Sequence, residues 1–120
     1  LLEVAIENAV EGCIRETFGA LVAKHQALAA SDDRISRTMI GIAHDETRHA
    51  ELSWQVHAFL MPKLTEAEHA QVAQAQREAI AQLKRELEQP VASELVTRAG
   101  VPQPSTALAL CAQLEKTLWA

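Results

Sequence analysis

Apolar residues recur along this chain at the three- and four-residue spacing of amphipathic helices, and polar or proline-containing breaks separate the runs. The first run, residues 1 to about 29, places Val4, Ile14, Phe18, Leu21, Val22 and Leu28 on one arc at about 100° per residue. Ser31-Asp32-Asp33 ends it and supplies an N-cap for the next helix. That second helix runs from about Asp33 to Met61, where Pro62 limits it, and a loop this short makes the two helices antiparallel neighbours. A third helix follows from Thr65 to about Gln89, with a narrow stripe of Val72, Gln76, Ile80, Leu83 and Leu87 that packs on one side only. Val91 to Ala99 forms a short helix closed by Gly100. Ser105 then caps a last helix that turns Leu108, Cys111, Leu114 and Leu118 inward. The expected fold is all-α: a helical hairpin over residues 1–62, then a C-terminal helical extension over 63–120.

Composition agrees with helices and narrows the partners. The 120 residues are 48% apolar but only 3% aromatic, with no Tyr and few Gly or Pro, which favours helix throughout. The net charge of −5, with no basic stripe, argues against a nucleic-acid surface. There is no apolar run of membrane-spanning length, so no membrane partner is expected. Cys13 and Cys111 stand far apart with no Cys-x-x-Cys spacing and read as small buried apolar residues, a disulfide being the minority case. A reducing, cytoplasmic setting is favoured. The chain begins at Leu1 without Met or a capping residue, which leads to the expectation of a longer precursor.

Polar residues on an apolar face change the picture. On the second helix Ile35, Met39, Ile42, Glu46, Ser53, His57 and Leu60 share an arc, with His49 and Val56 at its edge. Glu46-x-x-His49 thus places a carboxylate and an imidazole one turn apart on the same side, a metal-ligand spacing. A carboxylate aimed into a core requires a proton, a hydrogen bond or a cation. The second such pair, Glu66-x-x-His69, follows Thr65, and Thr65-x-x-Glu68 has the pattern of a capping box, so Glu66 and His69 read as a helix start.

With the turn centred near residues 29 to 32, Glu11 of the first helix is expected at about the height of position 49. Glu11, Glu46 and His49 then converge as candidate metal ligands. Glu7 lies one turn away and is the candidate proton-accepting group. His25 and His57 are too distant along their helices and read as core or interface residues, while His44 faces outward.

Two segments, Glu7-Asn8-Ala9-Val10-Glu11-Gly12-Cys13-Ile14-Arg15-Glu16-Thr17 and Ile42-Ala43-His44-Asp45-Glu46-Thr47-Arg48-His49-Ala50-Glu51-Leu52-Ser53-Trp54, resemble the second half of a bacterial ferritin-like domain. The resemblance covers residues 1 to about 60; the remainder is similar to the C-terminal helices that some members append. It implies half of a ferritin-like four-helix bundle and a di-iron, or di-manganese, carboxylate site. Glu11 takes the place of the single-Glu ligand there, and Glu46 and His49 take the place of the Glu-x-x-His. It further implies an oxidoreductase linked to O2 or peroxide.

The other half of the ligands is expected from an absent N-terminal helical hairpin or from a second copy in a homodimer. Two alternatives stay open. One is an iron-handling or storage protein. The other is a metal-free helical interaction module in which Arg15, Thr47 or Ser53 hydrogen-bonds Glu11 and Glu46.

Overall fold

Asp32 starts the longest helix, its Oδ1 accepting from the backbone N–H groups of Arg34 at 2.9 Å and Ile35 at 3.2 Å. In the computed structural model, which describes all of residues 1–120, no strand forms. Its elements are α1 (Leu2–Glu7), a π-helical segment (Asn8–Glu16), α2 (Thr17–Ala29), α3 (Asp33–Leu60), a 3-10 turn (Met61–Lys63), α4 (Glu66–Leu87), α5 (Ser93–Ala99) and α6 (Pro104–Lys116). The all-α class and the hairpin are as expected. None of the helices is long and apolar enough to cross a membrane.

The π segment was not anticipated. The residues joining α1, the π segment and α2 keep helical dihedrals, so one continuous rod runs from Leu2 to Ala29. Within it the Thr17 N–H reaches the carbonyl of Gly12, five residues back, in the i→i+5 pattern. The Thr17 hydroxyl donates to that same carbonyl at 3.2 Å.

The hairpin seam is built from small side chains. Ala5, Ala9, Cys13, Ala20 and Ala23 of the rod are buried, as are Ala43, Ala50 and Ser53 of α3. Val4 and Leu28, expected inward, are 55% and 90% exposed. The small residues let the two backbones approach, which leaves no room for bulkier side chains between them.

Larger side chains sit where α4 and α6 cover the rod. Ile14 and Phe18 pack with Ala79, Leu83, Ala107, Cys111 and Leu114, and Ala5 and Ala9 with Leu60, Leu64 and Val72. Both cores draw on residues from each side of position 62.

Polar contacts then tie the C-terminal helices down. Arg15 makes a two-pronged pair with Glu86 at 3.1 and 2.8 Å, Lys84 meets Glu115 at 2.7 Å, and the Trp119 indole donates to the Cys13 carbonyl at 2.9 Å. Thr65 and Glu68 form the expected capping box. Ser105 does not cap α6: Gln103 holds that position without a side-chain bond and Pro104 opens the helix, its missing N–H costing nothing at a helix start.

Both cysteines are free and buried. Burial, reinforced by Glu16, pushes the Cys13 thiol up to about 12, and burial also raises Cys111. Neither is poised as a nucleophile.

The chain extends 49 × 26 × 21 Å with a radius of gyration of 15.5 Å, against about 13.6 Å for a compact domain of this length. Only 22 of 120 residues are buried. One flank of the hairpin consequently stays uncovered, and the candidate residues lie there.

Candidate metal centre

Glu46 and His49 project from the same side of α3, with Glu46 Oε1 3.7 Å from His49 Nδ1. Their side chains are 33% and 58% exposed, so Glu46 occupies the rim of the seam rather than a closed core. The buried stripe of α3 is Ala43, Ala50, Ser53 and Leu60, displaced from the centre of the arc expected from the sequence. Ile42, one turn before Glu46, is 41% exposed. The apolar face read from the sequence is real, but the chain covers only part of it.

Gly12 seats directly on Ser53 and fixes the axial position of the rod against α3. A Cβ at position 12 would lie 2.2 Å from Ser53 Oγ, and the Asn8 amide donates to the Ser53 carbonyl at 2.9 Å. Opposite Ser53 the rod therefore presents Gly12, and counting back along α3 brings His49 level with about residue 16. Glu11 is displaced from His49 by roughly 7 Å, one helical turn and a little more. The convergence of Glu11 with Glu46 and His49 at one height is not what the structure has: the turn lies at Ala30–Asp32, as expected, but the Gly12–Ser53 contact sets the register.

The carboxylate level with His49 is Glu16. Ser53 Oγ donates to the His49 carbonyl at 3.0 Å and lies 3.5 Å from Glu16 Oε2. Glu7, Glu11 and Glu16 line one groove together with Asn8 and Ser53. On a 3.6-residue wheel Glu16 falls about 140° from Glu11, and for that reason the sequence reading passed it over. In i→i+5 geometry side chains five apart return to one side. Gly12 gave no distinguishing signal, because Gly19 and Gly41 are also helix-interior glycines and have open space beside them.

None of the donors suggested for Glu11 and Glu46 reaches either carboxylate. Arg15 is turned to Glu86, the Thr47 hydroxyl donates to Ala43 O at 2.7 Å, and the Ser53 hydroxyl is used by His49 O. Yet no three His, Cys, Asp or Glu side chains of the chain converge tightly enough to hold a metal ion. Glu46 with His49, and the carboxylates of the rod, amount to part of a ligand set.

Two of the other histidines, His69 and His57, have structural surroundings of their own. His69 Nε2 contacts the Met61 carbonyl at 2.5 Å beside the capping box. His57 packs edge-on against Trp54, ring centroids 5.7 Å apart, and its Nδ1 is buried without a partner. Burial, followed by the charge of His69, holds His57 below the usual imidazole range.

A lowered folded-state value means that the unfolded chain binds the proton more readily. Stability from His57 is thus complete above the unfolded pKa, about 6.5, and is lost as pH falls toward the depressed folded value. Urea midpoints are expected to drop as pH is lowered through this window, and His57→Phe to flatten the slope. An unchanged slope in the variant would assign the effect elsewhere.

No known protein family, curated protein or solved structure matches this chain. What the fold defines is an all-helical hairpin with appended helices.

Proposed function

We propose that this chain is half of a ferritin-like di-iron, or di-manganese, carboxylate protein of the O2- or peroxide-linked oxidoreductase class. Its site is completed by an N-terminal helical hairpin or by a second copy. The observation that carries the reading is the placement of Glu46 with His49, and of Glu7, Glu11 and Glu16, along one uncovered flank on which only His49 and the Ser53 hydroxyl approach a carboxylate. Val4, Leu52 and Phe59 are 55%, 59% and 64% exposed. Val4 lines the acidic groove, and at about 100° per residue Leu52 and Phe59 lie on the His49 side of α3. An apolar rim around polar side chains is the surface that a second hairpin would cover.

In this reading Glu46 and His49 hold a metal, Glu11 and Glu16 supply the facing carboxylates and Glu7 accepts protons nearby. Bound iron would supply the one-electron and O2 chemistry. The chain's own part is to orient these donors: the Ser53 hydroxyl, bonded to the His49 carbonyl, fixes the backbone that carries the imidazole.

The test is metal content per chain, on protein prepared with Fe(II) and Mn(II), together with mass in solution. About one metal per chain in a dimer is expected, on the two-metal count of such bundles, and Glu46→Ala should abolish it. A dimer without metal would sink the proposal. A large shell would instead indicate iron storage.

The absence of three converging ligands within one chain favours one second reading, a metal-free helical interaction module. That module would keep its helicity in chelator and tolerate Glu46→Gln.

A further inference from the structure

On the other flank of the hairpin, α2, α3 and α6 enclose a cleft of about 480 Å³, within the size range of small-molecule sites. Its walls are mostly apolar: Ala20 and Leu21 from α2, Ala50 and Trp54 from α3, Leu114 from α6 and Leu118 from the turn that follows it. Apart from the exposed Gln55 amide, the neutral polar groups of the lining are already engaged. The Trp54 indole donates to Thr17 Oγ1 at 3.1 Å, Thr17 donates to Gly12 O, and Thr47 donates to Ala43 O. Trp54, Thr17 and Thr47 leave no donor free along the apolar walls, which suits an occupant with an apolar body.

The two ends of the cleft differ in charge. Lys24 lines one end and, like most of the chain's cations, has no carboxylate within ion-pair distance. Glu51 lies on α3 beside Trp54, toward the other end. An anionic head is therefore attracted to Lys24 and repelled from the Trp54 end. Along α2, Thr17 to Lys24 spans about 10 Å, the length of a zigzag chain of about eight carbons with bonds of ~1.5 Å.

We propose that this cleft binds a medium-chain aliphatic carboxylate, with its head group on Lys24 and its chain along Leu21 toward Trp54 and Leu118. The site is independent of any metal on the opposite flank.

Octanoate titrated into the full chain, followed by tryptophan emission and calorimetry, tests it. One saturable site is expected, with Kd about 0.1 mM for a ligand of this size. Lys24→Gln should weaken octanoate about fivefold, to the affinity of 1-octanol, as for one exposed ion pair. Lys24 is exposed, so its variant is expected to fold; Leu21→Trp, checked by circular dichroism, should fill the cleft and abolish binding of octanoate and 1-octanol.

Absence of saturation, or octanoate affinity unchanged by Lys24→Gln, would overturn the proposal. So would octanoate binding that weakens as the chain dimerises, because the cleft would then belong to a second copy.

Discussion

Replacing Gly100 with alanine is expected to destabilise the protein by about 3 kcal/mol, from two sources. Gly100 closes α5 at φ 68°, a left-handed conformation that costs an L side chain about 1–2 kcal/mol. In addition, a Cβ there would lie 2.6 Å from the Ala30 nitrogen and 2.9 Å from the Gln26 carbonyl oxygen. These are backbone atoms and cannot rotate away. Relief would have to come from moving α5 off the hairpin turn.

That movement would break several bonds together. The Ser31 and Asp32 N–H groups donate to Thr97 O at 3.0 Å and Arg98 O at 3.2 Å, and the Gln26 amide donates to Ala99 O at 3.0 Å. Gly100→Asn separates the two sources, since asparagine tolerates left-handed backbone but still carries a Cβ. The asparagine variant should recover only the smaller part in urea denaturation. Full recovery would mean that the close approach costs nothing.

At the seam, Gly12→Ala is expected to cost about 2 kcal/mol net, near 8 °C in Tm for a chain of this size. Alanine gains up to about 1 kcal/mol of helix propensity. Against that, its Cβ would fall 2.4 Å from Ser53 Cβ, which no side-chain rotation can move. The rod and α3 must separate, loosening the buried contacts of Ala9, Cys13 and Ala50 on either side.

Ser53→Gly in the same chain removes the opposing atoms, so the double variant should be more stable than the sum of the two single changes predicts. Strict additivity would show that position 12 is not held by Ser53. If Gly12→Ala also shifts the register, metal uptake should fall with it, because Glu16 loses its level with His49.

How far the fold was legible can be judged from particular residues. Asp32, Thr65 with Glu68, and Gly100 act locally, through bonds or dihedrals within a few residues, and each marks the boundary expected of it. Ser105 failed as a cap because Pro104, one residue earlier, already satisfies the geometry of a helix start. The inward arcs were only half legible. Leu28 and Val4 look like core residues, while the hairpin buries alanines, whose hydrophobicity carries little periodic signal.

The candidate site divides along the same line. Glu46 and His49 share one unbroken α-helix, where spacing determines side, so their pairing could be read directly. Glu16 could not be read, because its side depends on a π segment.

By itself, the sequence determined the all-α class, the helix boundaries and the pairing of Glu46 with His49, all of which follow from local dihedral preference and a fixed 100° step. The tertiary structure alone decided the axial register, the π segment and the exposure of Glu46. Those depend on Gly12 meeting Ser53 across the seam, a contact between residues about forty positions apart whose free energy no local pattern encodes.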